Sequence, residues 1–140
     1  MEPPNLTAKE GAAESPLHEA AWRNDLDEIR RLMQAGADIN WKDSTGESAL
    51  FGASAWGNVG AVKLLLDLGA NPNLQEIDGL SPLHWAASHG NIETMQALLD
   101  AGANPHQSDA RGRKPVDVAR AYGKSNHVSF LITVGEETGN

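Results

Sequence analysis

Apolar residues along this chain alternate between two kinds of segment. Short segments rich in alanine are each followed by a longer one, in which apolar residues stand at positions i, i+3, i+6 and i+7. This spacing predicts an amphipathic helix with one apolar stripe, and the alanines predict a short preceding helix that neighbours can approach closely. The clearest stripes are Leu26, Ile29, Leu32 and Met33, then Val59, Val62, Leu65 and Leu66, and then Ile92, Met95, Leu98 and Leu99.

The whole pattern repeats every 33 residues. The sequence SPLH at residues 15–18 returns at 81–84, with SALF at 48–51 halfway between them and KPVD at 114–117 one step later. A single unit of this kind cannot bury its apolar stripe, and stacking of about three or more units does so. Four units are present, so we expect the domain to fold by itself.

Each unit also carries signals for the ends of its helices. Serine before proline favours a helix start, because the hydroxyl caps a free N–H and proline suits the first turn. The first helix should end at a residue that tolerates the left-handed conformation, and the second at a glycine. The predicted ends of the first helices are Asn24, Gly57, Gly90 and Gly123, and those of the second helices are Gly36, Gly69, Gly102 and Gly135.

These units closely resemble the ankyrin repeat family, and the third, GLSPLHWAASHGNIETMQALLDAGANP, fits best. The resemblance implies an all-α solenoid of stacked helix-turn-helix units, with short hairpin turns at one side and a concave face for binding. We assign four repeats to residues 15–41, 42–74, 75–107 and 108–135, between a flexible N-terminal tail at 1–14 and a C-terminal tail at 136–140.

The departures from the family pattern fall in the first and last repeats. Arg30 and Arg31 make the second helix of the first repeat more polar, and Ser125 stands at a usually apolar position in the last. Lys114 replaces the usual residue before a first helix. Terminal repeats must show one face to water, so we interpret these residues as caps.

The resemblance also implies that a partner binds at the turn before each first helix and at the end of that helix. Arg23, Trp56, His89 and Tyr122 stand one period apart, so stacking would align them as a stripe. Such residues are common binding hot spots, although they can also simply cover a groove. The predicted partner-binding residues are Trp22, Arg23, Trp41, Ser44, Thr45, Glu47, Trp56, Ile77, Asp78, Leu80, Ser88, His89, Arg111, Arg113 and Tyr122.

Two tryptophans need separate interpretation. Trp41 precedes the second turn, where it would either project as an anchor or pack on the base of the hairpin, and the sequence leaves both alternatives open. Trp85 stands inside a first helix next to Ala86 and Ala87, and we predict that it packs.

Charge and composition narrow the partner. The net charge of -8 repels phosphate backbones, so we expect a partner protein with a basic surface and no nucleic acid. Alternatively, the charge only keeps a small protein soluble. The chain has no cysteine, no stretch apolar enough for a membrane helix and no basic, apolar start typical of a secretory signal. We therefore expect a monomer in the cytoplasm, or in the nucleus of a eukaryote.

No pattern predicts an enzyme, a metal or a cofactor. His18-Glu19 begins like the zinc-protease motif HExxH, but Trp22 stands at the fifth position. Ser88 and His89 are adjacent, yet a catalytic triad also needs an orienting acid and an oxyanion site. By resemblance, His18 and His84 occupy the family's capping position, and we predict that they bond nearby backbone.

The sequence therefore predicts a non-catalytic protein-binding module, either an adaptor or an inhibitor. The last repeat is similar in style to that of the small ankyrin inhibitors of cyclin-dependent kinases. Their second repeat has a shortened first helix, however, whereas ALFGASAWGN looks full length. A bacterial-type immunity protein that blocks a toxin or hydrolase is a further alternative, and the varied repeats disfavour a designed scaffold.

Overall fold

The computed structural model describes residues 15–137, with side chains for 15–135, and in this part of the chain it contains eight helices and no strand. The predicted tail at residues 1–14 and residues 138–140 of the second tail lie outside the described residues. Within the described range, no helix is both long and apolar enough to cross a bilayer. The helices are α1 (Pro16–Trp22), α2 (Leu26–Gln34), α3 (Ala49–Ala55), α4 (Val59–Asp67), α5 (Pro82–His89), α6 (Ile92–Asp100), α7 (Pro115–Ala121) and α8 (Ser125–Glu137).

The helices stack in two layers, which confirms the all-α solenoid predicted from the sequence. The first helices α1, α3, α5 and α7 pack against one another in order, and each second helix packs on its own first helix. Alanines let the first helices approach closely, because small side chains occupy their contacts. Residues with no more than 3% exposure at these contacts and along the stripes include Ala20, Ala53, Ala86, Ala119, Ile29, Leu32, Val62, Leu65, Met95 and Leu98.

The first and third repeats begin as predicted. The serine that precedes the proline accepts a hydrogen bond from the N–H of His18 or His84, at 3.1 and 3.4 Å. The imidazole then reaches the next turn, where His18 Nε2 lies 2.7 Å from the carbonyl oxygen of Glu47, and His84 Nε2 lies 2.8 Å from that of Arg113. The predicted structural role of both histidines is confirmed, and each also ties its helix start to the following repeat.

The turns of successive repeats bond to one another through their backbones. Ile77 N–H donates to the carbonyl oxygen of Thr45 at 2.8 Å, and Ala110 N–H donates to that of Asp78 at 3.0 Å. Gly79 has a φ of +79°, and a Cβ there would stand 2.6 Å from the nitrogen of Ala110. Only glycine fits this close approach, so the turns form a connected row beside the first helices.

The third first helix ends at Gly90 as predicted, but Gly90 does not adopt the left-handed conformation. Gly90 has a φ of -88°, outside the left-handed region, and α5 runs to His89, one residue further than its counterparts. A Cβ at Gly90 would stand 2.9 Å from the Cα of Ala86 and would collide with the carbonyl oxygen of Ser54. Glycine is needed here because α5 packs closely on α3, and the other three predicted ends, Asn24, Gly57 and Gly123, do adopt positive φ.

The predicted end of the last helix is wrong. Gly69 and its equivalents Gly36 and Gly102 have φ near +100° and each stands directly after the C-cap residue of its helix. Gly135 instead lies inside α8, which continues to Glu137, past the predicted start of the tail. Glycine in a helix costs only about 0.5–1 kcal/mol relative to alanine, so packing of α8 on α7 carries the helix through it.

The cap residues of the terminal repeats face solvent as predicted. Arg30 and Arg31 are exposed on α2, and Arg31 Nη2 pairs with Glu28 Oε2 at 2.6 Å. Ser125, at the start of α8, and Lys114 are exposed as well. The polar substitutions therefore lie where no neighbouring repeat covers them.

Candidate functional site

Aromatic side chains form a row at the C-terminal ends of the first helices. Trp22 ends α1, Trp56 follows α3, His89 ends α5 and Tyr122 follows α7. The ring centroids of Trp22 and Trp56 are 5.8 Å apart, and those of His89 and Tyr122 are 5.0 Å apart. Three of these residues are largely open to solvent, with exposed fractions of 46% for Trp22, 63% for Trp56 and 54% for Tyr122. We call these four residues, together with Trp85, the aromatic row.

The first repeat supplies a different residue to this row than the 33-residue step predicts. Arg23 is exposed and pairs with Glu19, with 3.0 Å between Nη1 and Oε1. Trp56 contacts Trp22, which directly precedes Arg23 in the chain. The aromatic contact therefore uses Trp22, the last residue of α1, and the guanidinium of Arg23 pairs with Glu19.

A cavity of about 230 Å³ opens next to Trp56. Its lining combines flat aromatic rings with two carboxylates and a histidine. A site of this composition suits a cation that also carries an apolar or planar surface. The lining residues are Trp22, Trp56 and Trp85, then His18, Asp43 and Glu47, and finally Ala49, Phe51, Gly52 and Ala55.

The two carboxylates of the cavity belong to the second turn. Asp43 Oδ1 accepts hydrogen bonds from the N–H of Thr45 at 2.9 Å, the hydroxyl of Thr45 at 2.7 Å and the N–H of Glu47 at 3.0 Å. Asp43 Oδ2 lies 3.9 Å from His18 Nε2, and the Asp43 side chain is only 14% exposed. Burial raises the pKa of Glu47, and the negative charges of Asp43 and Glu76 add to the effect. The turn thus concentrates negative charge at a partly desolvated position.

The fourth repeat has the same turn with the opposite charge at one position. Asp109 Oδ1 accepts from the N–H of Arg111 at 2.9 Å and of Arg113 at 2.8 Å, and Asp109 Oδ2 accepts from Arg113 Nε at 2.8 Å. Burial alone would raise the pKa of Asp109, but the bonds from both arginines outweigh it and hold that pKa below its ordinary value. Arg113 stands 66 residues after Glu47, so one turn holds a guanidinium where the other holds a carboxylate.

The remaining predicted contact residues lie in the turns. Ser44, Thr45, Asp78 and Arg111 are exposed, and Leu80 and Arg113 are partly buried. Ile77 is 73% exposed, the largest fraction for a large apolar side chain in the described part of the chain. The turns therefore offer one strongly exposed apolar side chain among polar ones.

Two predicted contact residues are buried, which corrects the assignment. Trp41 is 9% exposed and packs edge-on against the imidazole of His18, with 5.4 Å between ring centroids, so the packing alternative is correct. Ser88 is 3% exposed, and its Oγ lies 3.2 Å from the carbonyl oxygen of Trp85 and 2.7 Å from His89 Nδ1. Both side chains contact the protein itself, so a partner cannot reach them.

For Trp85 the sequence predicts only packing, but the structure also leaves part of its side chain exposed at the cavity. Its ring is partly exposed, lines the cavity and lies 5.5 Å from the ring of His89. Its Nε1 is buried and has no hydrogen-bond partner among the described residues. The signal was its spacing, because residues four apart on a helix share a face.

A family model described as ankyrin repeats in many copies matches the chain three times, at residues 17–66, 50–99 and 83–132. The matches overlap and together extend over residues 17–132. They begin in α1, α3 and α5, so each takes in two consecutive helix pairs. Among curated proteins, none matches the chain.

Proposed function

The chain belongs to the ankyrin repeat family, and we propose from that premise that it is a non-catalytic module that binds a partner protein as an adaptor or an inhibitor. Ankyrin repeats serve in general as protein–protein interaction modules. The proposed binding surface is the aromatic row together with the exposed turn residues Ser44, Thr45, Ile77, Asp78 and Arg111.

The exposure of Trp22, Trp56 and Tyr122 in one row is the observation that carries this proposal. Exposed large apolar side chains that cluster on a soluble protein need an explanation that a single one does not. Tryptophan and tyrosine dominate binding hot spots, because they bury a large area and have few side-chain torsions to fix. The rings already contact one another in pairs. A partner would therefore meet a surface that needs little further ordering.

The charge of the molecule supports a basic partner surface. The chain carries a net charge of -8, and Asp43 and Glu47 bring two carboxylates to the aromatic row. Opposite charge speeds encounter and discriminates against acidic partners. We propose that the protein binds such a partner as a monomer.

The structure disfavours the kinase-inhibitor version of this function. By resemblance, those inhibitors have a shortened first helix in their second repeat. Here α3 spans seven residues, as α1 and α7 do. The partner is therefore better sought without assuming a kinase.

Affinity capture from a lysate of the source organism tests the proposed surface. The natural chain is compared with a triple variant, Trp22→Ala, Trp56→Ala and Tyr122→Ala, and bound proteins are identified by mass spectrometry. Since truncating a hot-spot residue costs about 2 kcal/mol or more, the triple variant should lose the partner almost completely.

A double variant, Leu68→Ala and Ile132→Ala, provides the matched control. These residues are exposed apolar side chains of similar accessibility, at 38% and 44%, and they lie outside the aromatic row. The control should retain the partner, and thermal unfolding should show that all variants remain folded. Retention of the same partner by the triple variant would place the binding surface elsewhere and contradict the proposal.

A further inference from the structure

The second and fourth turns are built on the same scaffold but differ in the group that faces the second oxygen of their aspartate. In both turns, one carboxylate oxygen accepts N–H hydrogen bonds from the residues two and four positions later. In the fourth turn, the other oxygen of Asp109 binds the guanidinium of Arg113. In the second turn, the equivalent oxygen of Asp43 has His18 Nε2 at 3.9 Å, and Glu47 occupies the position of Arg113.

The fourth turn thus shows that a guanidinium fits the second oxygen of an aspartate in this scaffold. A guanidinium presents a planar fork of N–H donors that matches a carboxylate, and its delocalised charge is weakly hydrated. The Asp43 side chain is only 14% exposed. Water therefore screens its attraction to a cation less than it would at an open surface.

The cavity beside Asp43 supplies the other surfaces that a guanidinium prefers. The indole rings of Trp22, Trp56 and Trp85 line it together with the two carboxylates. Arginine stacks on tryptophan faces more often than lysine does, and such contacts strengthen when they are desolvated. The volume of about 230 Å³ is more than ten times the roughly 10–15 Å³ of cavity that one water molecule needs, which leaves room for one long side chain.

We propose that this cavity receives an arginine side chain of the partner protein, with its guanidinium bound by Asp43 and Glu47 and stacked among Trp22, Trp56 and Trp85. This inference rests on the proposed function and specifies the chemistry of the partner. The incoming guanidinium takes the place that Arg113 occupies at Asp109 in the fourth repeat.

The test uses the natural chain and the peptide acetyl-Gly-Arg-Gly-amide, with the tryptophan indole N–H signals followed by NMR at constant ionic strength. The signals of Trp22, Trp56 and Trp85 should shift in a saturable way. Peptides that carry citrulline, lysine or trimethyl-lysine in place of arginine should bind about tenfold more weakly or worse. Citrulline lacks the positive charge, lysine lacks the planar fork of donors, and trimethyl-lysine has no N–H donor on its ammonium group. Equal binding of citrulline or lysine, or tighter binding of trimethyl-lysine, would overturn the assignment to arginine.

The variant Glu47→Arg transplants the residue of the fourth turn into the second. Since Arg113 is accommodated at the equivalent position, this variant should fold, place its own guanidinium on Asp43 and lose affinity for the arginine peptide by about tenfold or more. Asp67→Arg is the control, because it makes the same change of charge at an exposed position at the end of α4, outside the cavity. It should bind the peptide as the natural chain does.

The outcomes separate this inference from the proposed function. A partner that is captured through the aromatic row, combined with no saturable shift by the arginine peptide, would overturn the arginine site and leave the proposed function standing. Unchanged peptide binding by Glu47→Arg would also overturn it. The comparison of arginine with citrulline uses the natural chain, so it remains decisive even if a variant does not fold.

Discussion

His84 occupies an environment that makes it sensitive to pH. Its side chain is buried, its Nδ1 accepts a hydrogen bond from the N–H of Ser81 at 3.1 Å, and its Nε2 lies 2.8 Å from the carbonyl oxygen of Arg113. An imidazole that accepts at Nδ1 is neutral and donates from Nε2. Burial lowers the pKa of His84 below its ordinary value of 6.5, despite the opposing effect of the bond to the Arg113 carbonyl.

The lowered pKa of His84 predicts a loss of stability in mild acid. The unfolded chain takes up this proton near pH 6.5, before the folded chain does, so the unfolded state binds more protons. The contribution of His84 is fully present above pH 6.5 and is lost as the pH falls from there through the lowered folded-state pKa. NMR titration of the imidazole should show that pKa below 6.5, and denaturant unfolding should give a smaller free energy at pH 5 than at pH 7.

The variant His84→Phe provides the control for this prediction. Phe51 fills the equivalent position of the second repeat, so a phenyl ring is compatible with the fold. Whatever its absolute stability, this variant should show a smaller difference in unfolding free energy between pH 7 and pH 5. A difference as large as that of the natural chain would assign the pH dependence to other groups.

The four tryptophans show which side-chain environments can be predicted from the sequence and which cannot. The period places Trp56 in the exposed stripe, and the structure agrees. Trp41 and Trp85 could not be placed in this way, because their surroundings come from distant parts of the chain. Trp41 is buried by contact with His18, and Trp85 lines one cavity with Trp22 and Trp56 only through the stacking of repeats. Local spacing relates Trp85 to His89 on its own helix, but burial and cavity formation are tertiary events that this spacing does not encode.

Helix elements were predictable where a local rule acts alone. The apolar stripes place Leu65 and Leu98 in the core because three- and four-residue spacing defines one helix face. The conformation of Gly90 at the end of α5 and the end of α8 were mispredicted because glycine has more than one use. Gly90 provides room for α3, and Gly135 is simply tolerated within α8. The residue type indicates freedom of the backbone, and the neighbours decide whether that freedom is used.

Equivalent glycines of two second helices should therefore respond in opposite ways to alanine. Gly135 is helical, with its nearest atom at 3.4 Å from an added Cβ, so Gly135→Ala should stabilise the chain by about 0.5–1 kcal/mol. Gly69 has a φ of +103°, so Gly69→Ala should destabilise it by about 1–2 kcal/mol. Denaturant unfolding measures both changes, and equal signs would contradict the different roles assigned to the two glycines.

The whole molecule depends on contacts between neighbouring repeats. The long-range hydrogen bonds of the turns and of His18 and His84 join each repeat to the next, as does the shared core between the helix layers. Each repeat therefore stabilises its neighbours, and the stack has no central core separate from these interfaces. We therefore expect a substitution that weakens one interface to lower the stability of all four repeats.

Leu65 tests this coupling, because it is fully buried in the second repeat. Leu65→Ala should lower the unfolding free energy by about 2–5 kcal/mol, since it removes buried methyl groups and leaves a cavity. Circular dichroism, which reports all helices, and tryptophan fluorescence, which reports the first three repeats, should follow one coincident transition. The control Leu68→Ala, at a 38% exposed position directly after the same helix, should change stability by no more than about 0.5 kcal/mol. Separated transitions would contradict coupling across the stack.

The contact between Trp22 and Trp56 has an optical consequence. Their rings lie 5.8 Å apart and are inclined at 60° to each other. Two identical chromophores held this close at a fixed angle share their electronic excitation, and the shared transition splits into a pair of circular dichroism bands of opposite sign. Any ligand that parts the rings, or wedges between them, weakens this couplet, so the protein carries an unlabelled reporter of its own occupancy.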